Sequence, residues 1–419
     1  MYAIISIVYS IRNYECLMMK KRLLFLGGAF FQLPPILYAK QQGHYIITCD
    51  YLPDNPGHQY ADEYHNVSTT DMEAVLQLSM QLKIDGIVAY ASDPGAATAA
   101  YVAGQLNLPG NPYKSVCVLS RKDLYRDFLT RHHFNTPFSA SFNSLGEAEA
   151  YFTKVNQPLV IKPVDSSGSK GVYLVKTVAD LHNAFNYSLA FSRVKKVILE
   201  QFIERKGYQI AGDGFVTNGK LVFRCFAQEH FMHSGNPFSP VGESYPLQLS
   251  EALQEKIHLE IDRLVSLLQL NAGALNFDII LNRQDDVYLM EIGPRAGGHL
   301  ITEMIRYSTG VDLVKYVIAS ALGEDCSSLA MYTHADCYAF RALYAKSGGL
   351  FRGITIHPSL LDNIVEQKLF VQVGDEVQAF KDSSGTLGGL ILKFDTPEDM
   401  LNKMESMHEL VEVIVENGQ

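Results

Sequence analysis

Apolar positions along residues 22–115 switch between short solid runs and helical spacing. Arg22-Leu23-Leu24-Phe25-Leu26 reads as a strand ended by Gly27-Gly28, and Pro34 to Gln42 as a helix, since proline suits a first helical turn. His44 to Cys49 gives a second strand, closing at Asp50. Met72, Val75, Leu76, Leu78 and Leu82 fall near helical spacing behind Thr70-Asp71, which predicts a capped helix over 71–83. Ile84 to Ala89 gives a third strand, ended by Ser92-Asp93-Pro94-Gly95. Strands alternating with helices imply a parallel sheet with right-handed crossovers. The Gly-Gly turn and Asp50 hint at a dinucleotide site, but the G-x-G-x-x-G fingerprint is missing, which argues against NAD.

Further on, residues 116–134 predict one helix, with Ser120 as its cap, Lys122 in its first turn and Leu124, Phe128 and Leu129 as its apolar stripe. From about 135 the pattern changes. Pro158 to Pro163 is an apolar strand that contains Lys162, and a lysine there is costly unless paired. Asp165-Ser166-Ser167-Gly168-Ser169-Lys170-Gly171 follows, then a strand from Val172 to Val175. Small residues between two strands let backbone N–H groups converge on an anion, so phosphate is favoured over an ordinary Ser/Gly turn. No helix follows at once, so this is not a Walker-type loop.

Val197 to Glu204 reads as a strand, and Tyr208–Val216 with Lys220–Ala227 as a hairpin about Asn218-Gly219. Residues 228–246 look long, Pro/Gly-rich and irregular, as a lid or substrate loop would, with His230 and His233 as solvent-exposed histidines. A helix is expected over 250–269. Beyond 330, strands are expected at Cys337–Leu343, Leu369–Val373, Leu387–Phe394 and Val411–Val415, with a helix from Thr396 to about Met407.

The most informative stretch lies between. Leu275 to Leu281 and Val287 to Ile292 read as two strands joined by Arg283-Gln284-Asp285-Asp286. A four-residue turn pairs Asn282 with Val287 and sets Asp278 opposite Glu291. Opposed residues on one face lie roughly 4.5–5.5 Å apart at Cβ, where two carboxylates repel unless a cation sits between them. Mg²⁺ with nucleotide phosphates is the common case. The alternatives are a surface hairpin with two solvated acids, or a register slip that turns one acid away. Arg295 follows on a Gly-rich turn, and a helix from about Leu300 adds an oriented partial positive charge near the acids.

Composition narrows the field. The 419 residues are 47% hydrophobic and 19% charged, ordinary values for a globular protein of two to three domains. A net charge of −10 argues against a general nucleic-acid binder or a partner of anionic membranes, so any anion site must be local. The six cysteines form no C-x-x-C pair, and reduced thiols in a cytoplasmic protein are expected. No run of about 18 apolar residues predicts a membrane helix. The apolar start carries its positive charges after the run, unlike a secretory signal, and Met18 or Met19 is the expected native start.

Taken in order, the helix lysine Lys122, the strand lysine Lys162, the small-residue loop, Glu200-x-Phe202-Ile203 and the acid hairpin ending in Glu291-Ile292-x-Pro294-Arg295-x-Gly297-Gly298 resemble the ATP-grasp superfamily of carboxylate–amine ligases. The resemblance covers roughly Val116 to Glu324 and is closest in pattern to bacterial L-amino-acid ligases. It implies an α/β and α+β multidomain chain: a pre-ATP-grasp α/β domain over 20–115, the ATP-grasp fold over 116–325, and a small C-terminal α+β segment over 326–419 that completes the substrate site. It implies that Lys122 and Lys162 contact ATP phosphates, that Ser166, Ser167, Gly168 and Ser169 belong to a loop closing over them, and that Glu200, Phe202 and Ile203 meet the adenine. Asp278 and Glu291 would hold Mg²⁺, with Mn²⁺ as a substitute, and Arg295 would stabilise the reacting acyl group. Two positions depart from the pattern. Gly293 stands where the family often has Asn, which removes a ligand for a second metal, and Gln209 stands where a ribose-binding Glu is common. The implied partners are a small carboxylate and an amine, with a homodimer left open. A purine-pathway or carbamoyl-phosphate-type enzyme is the alternative reading.

Overall fold

The structure, a computed structural model, describes residues 20–233 and 236–416. The expected start at Met18 or Met19 lies outside them. The N-terminal strands Arg22–Leu26, Tyr45–Cys49 and Gly86–Val88 form a parallel sheet as the apolar runs imply, with Glu63–His65 added at one edge. Asp71 caps the helix Met72–Leu82 by accepting from Ala74 N.

Two expectations fail here for identifiable reasons. Ser92-Asp93-Pro94-Gly95 is not a loop but the start of the helix Asp93–Leu106. Ser92 Oγ accepts from Gly95 N, and Pro94 sits in the first turn, where its missing N–H costs nothing. The helix is alanine-rich and shows no apolar stripe to announce it. Residues 116–134 are not one helix but two, Tyr113–Ser120 and Lys122–Arg131, broken at Arg121, whose φ of −128° is extended. Ser120 ends the first helix, and Lys122 opens the second with its N–H on Val164 O at 2.8 Å.

A four-stranded sheet carries the lysine strand, Leu159–Pro163, between Val197–Gln201 and Tyr173–Val175. The large sheet has eight strands, of which Val287–Gly293, Ala272–Leu281, Gln209–Thr217, Lys220–Phe231 and Pro240–Tyr245, in that spatial order, make up the first five. Cys337–Leu343, Gly388–Phe394 and Ile364–Leu369 extend it. Residues 228–231 and 240–245 are thus strand, and the irregular part among the described residues shrinks to 232–233 and 236–239. The expected Leu369–Val373 strand lies instead at Ile364–Leu369, and Gly349–Ile356 is a strand the apolar pattern did not reveal. His230 is buried and hydrogen-bonded to Ser244 Oγ at 2.8 Å, not exposed; His233 is exposed and stacks on His408. No helix among the described residues is long and apolar enough to cross a membrane.

Candidate active site

The acid hairpin forms, with Asp278 directly opposite Glu291, but not by the expected route. Leu281, not Asn282, pairs with Val287. Asn282 turns its side chain onto Gln284 N and Asp286 N, and Asp285 takes a left-handed φ of 61°, so the loop is one residue longer than a four-residue turn. A bulge at Met290 then takes up the extra residue and restores the pairing of the acids. The bulge also frees the Met290 carbonyl, which accepts from Arg126 Nη1 at 2.9 Å.

Desolvation first, and then the Glu291 charge, push the Asp278 carboxyl up to about 6. Lys122 Nζ lies 2.9 Å from Glu291 Oε2 and donates to Ser166 O at 2.8 Å, so one ammonium joins the metal end to the Ser/Gly loop. No group of three or more His, Cys, Asp or Glu side chains among the described residues forms a closed metal site. Two hard oxygen donors with open positions fit Mg²⁺, which takes its remaining ligands from water and phosphate.

Gly293 has a local reason. A Cβ there would lie 3.1 Å from Asp93 Oδ1 and 3.2 Å from Arg295 Cζ. Arg295 Nε and Nη2 donate to the two Asp93 oxygens at 2.9 and 2.8 Å, and a larger residue at 293 would push this pair apart. Burial opposes ionisation of Asp93, but the guanidinium outweighs it and holds the carboxyl below its usual range. Asp93 escaped sequence reasoning, although Ser at the cap with Pro two positions on was the available helix signal.

Lys162 Nζ lies 2.5 Å from Glu200 Oε1, and Arg126 Nε donates to Oε2 at 3.0 Å. Burial opposes the Glu200 charge, yet Arg126 and then Lys162 bring its pKa down to about 2. Both oxygens face cations, so Glu200 anchors Lys162 and Arg126 while lining the same cavity as Phe202 and Ile203. Arg126, fully buried, was not foreseen. The Gln209 amide donates to Asp278 and to Glu229 Oε2, beside the acid pair.

In the Ser/Gly loop, Gly168 (φ 67°), Ser169 (φ 61°) and Gly171 (φ 71°) are left-handed, and Asp165 ties its base to Ser192 Oγ, Arg193 N and Val194 N. Above the loop, Ser169 Oγ donates to Phe238 O at 2.6 Å, and Ser383 of the C-terminal segment bonds Gly168 O through N and Oγ at 3.4 and 3.3 Å. One cavity of about 780 Å³ gathers Lys122, Lys162, Ser166–Ser169, Glu200, Phe202, Ile203, Gln209, Asp278, Glu291 and Arg295. All the residues singled out from the sequence therefore line one space. Ala29, Phe30, Phe31 and Ala91 wall its N-terminal side, with Phe31 edge-on to His299.

A second acid pair was not foreseen. Glu229 and Glu243 lie opposite each other on neighbouring strands, and both line the cavity. Tyr245 Oη donates to Glu243 at 2.6 Å and Gln209 to Glu229, but neither donor is a cation. Desolvation lifts Glu243 to about 8, and desolvation followed by Asp278 raises Glu229 well above its ordinary value.

Comparison with known proteins agrees with this geometry. Residues 155–303 match the ATP-grasp domain family. A formate-dependent phosphoribosylglycinamide formyltransferase of Burkholderia lata is 28% identical over 286 residues, covering 65% of this chain and 69% of that one. An L-amino acid ligase from Bacillus licheniformis superposes with a TM-score of 0.77 at 22% identity, over 95% of this chain and 99% of that one. A phosphoribosylglycinamide synthetase from Anaerococcus prevotii gives 0.73 at 23%, over 95% and 100%. ATP and Mg²⁺ are the cofactors of such enzymes and of this one. The matched domain, the fold that surrounds it and the gathered residues converge: this chain is an enzyme that carries an ATP-grasp domain over residues 155–303 and forms carbon–nitrogen bonds.

Proposed function

We propose that the protein activates a carboxylate as an acyl phosphate and couples it to an amine, with an amino acid among its substrates. The observation that carries the amino-acid reading is the Glu229–Glu243 pair, two acids facing each other in the cavity, neither in an ion pair among the described residues. A substrate ammonium would relieve both, since an opposite charge restores the ionised form of each.

In the reaction, a carboxylate oxygen attacks the γ-phosphorus of ATP and the bond to ADP breaks. Lys122, Lys162 and the backbone of the Ser/Gly loop hold the phosphates in line. Asp278 and Glu291 would hold Mg²⁺, which would supply charge neutralisation at those phosphates. The amine nitrogen then attacks the acyl carbon, phosphate leaves, and the nitrogen gives up a proton. Arg295, oriented by Asp93, stabilises the oxyanion that develops at the acyl carbon. The loop, Phe238 and Ser383 keep water from the acyl phosphate.

The test is ADP and phosphate release measured across a matrix of amino-acid pairs. ADP formation that requires two amino acids supports the proposal, and Glu291→Gln and Arg295→Ala should each abolish it with circular dichroism unchanged. Turnover only with formate and glycinamide ribonucleotide, or only with bicarbonate and ammonia, would move the enzyme to the purine or carbamoyl-phosphate type.

A further inference from the structure

The large sheet ends at the strand Ile364–Leu369, which pairs with Gly388–Phe394 on one side and, among the described residues, with no strand on the other. A free edge offers a row of backbone donors and acceptors to any second strand, and proteins guard such edges with charge or cover. This one turns apolar side chains outward. Val365 and Leu369 are exposed, as are Leu361 before the strand and Val373 after it, one at every fourth position. Single exposed apolar residues are common, but a row of them beside an unpaired edge marks a contact surface. The other face of the strand carries Glu366 and Lys368, 3.2 Å apart, with Gln367 exposed between them.

We propose that this edge is a self-association surface, on which the same strand of a second copy pairs antiparallel about a two-fold axis at Gln367. The pattern of charges selects this register. The axis sets each residue after Gln367 opposite the one equally far before it, so Glu366 meets the partner's Lys368, and Lys368 meets the partner's Glu366. Val365 and the partner's Leu369 meet on the exposed face. Opposite charges and apolar side chains in such cross-strand pairs stabilise a ladder, and like charges oppose it. Moving the axis by one residue in either direction sets Glu366 or Lys368 against its own copy. A bulge at Val365 interrupts the ladder to Gly388–Phe394, which confines regular pairing to the segment about Gln367. A two-fold contact of this kind is closed, so it makes a dimer and not a fibre.

Past its end the strand runs into Phe370, whose ring lies 3.9 Å from that of Phe30 and meets Phe31 edge-on. The surface therefore lies beside the apolar wall of the ATP cavity, and none of Ile364–Leu369 lines that cavity. The inference does not depend on the substrates proposed above.

The test is sedimentation velocity and disulfide trapping on the full chain. Wild type should show a dimer population that grows with concentration across the micromolar range. Gln367→Cys should give a disulfide-linked dimer under mild oxidation, above the wild-type background, because the two introduced thiols face each other at the axis. Val365→Cys, which faces the partner's Leu369, should not. Glu366→Lys should weaken dimerisation by about tenfold, since two attractive pairs become repulsive. Adding Lys368→Glu to the same chain should restore it, with circular dichroism unchanged throughout. The cysteine variants serve if Glu366→Lys does not fold. A wild type that stays monomeric, equal trapping of the two cysteine variants, a dimer that a folded Glu366→Lys leaves unchanged, or a double variant no tighter than Glu366→Lys overturns the proposal.

Discussion

The Arg295 guanidinium and the Asp93 carboxylate meet through two parallel hydrogen bonds across 202 positions of sequence. One group ends the acid hairpin; the other opens a helix of the N-terminal sheet unit. Removing one partner of a buried pair typically costs about 3–5 kcal/mol. Asp93→Asn retains the shape but loses the charge that aims Arg295. It should lower kcat by about 10–100-fold, the usual penalty for losing an outer-shell partner, with a smaller change in the KM for ATP. Steady-state ADP release checks this, and an unchanged kcat would separate Asp93 from the chemistry.

The Glu229–Glu243 pair predicts a pH dependence. Glu243 has an ordinary value near 4.5 and is raised to about 8 in the fold. The unfolded chain therefore loses this proton first, and its contribution to stability is present below about 4.5 and falls as pH rises toward 8. The slope reaches at most about 1.4 kcal/mol per pH unit for one group. Denaturant unfolding of the ligand-free enzyme should weaken across that window, and Glu243→Gln should flatten the curve. An identical slope in the variant would remove Glu243 from the account.

The bulge at Met290 can be tested by deletion. Without Met290 the ladder runs on regularly from the Ile279–Leu289 pair, so Glu291 stays opposite Asp278 and the carbonyl that accepts from Arg126 is lost. Mg²⁺-dependent ADP binding should stay within a few-fold of wild type in this variant. Shortening the loop by deleting Gln284 should likewise leave binding within a few-fold of wild type. Calorimetry on both variants with Mg²⁺ and ADP checks this, and binding abolished in a folded variant without Met290 would contradict the register.

Glu200→Gln leaves Arg126 and Lys162 buried with no carboxylate between them. A loss of about 3–5 kcal/mol in unfolding free energy is expected, with a raised KM for ATP as Lys162 loses its position. Since burial is overcome by Arg126 and Lys162 to hold Glu200 at about 2, the wild-type contribution is present above the ordinary 4.5 and is lost as pH falls toward 2. Acid unfolding of the variant should lack that component.

Much of the site was legible because its parts are local. Lys162 in an apolar strand, the Ser/Gly loop and the two acids each leave a mark within about ten residues. The hairpin shows how legibility can mislead: the turn was one residue too short and the bulge went unseen, and the two errors cancelled at Asp278 and Glu291. Asp93, Arg126, Glu229 and Glu243 were missed because each acquires its role through a distant partner. Nothing beside Glu229 in sequence announces Glu243, which a neighbouring strand brings opposite. The helix Asp93–Leu106 was hidden by its alanines, which fit both faces and so set no period.

Three parts of the chain far apart in sequence meet above the phosphate loop: Ser169 on Phe238, and Ser383 on Gly168. They are stitched by three hydrogen bonds, one from Ser169 and two from Ser383, each worth roughly 1 kcal/mol net. Such a cover lifts at a free energy far below that of unfolding. The lysines and acids beneath are held more firmly, by the ion pairs of Lys122 with Glu291 and of Lys162 with Glu200.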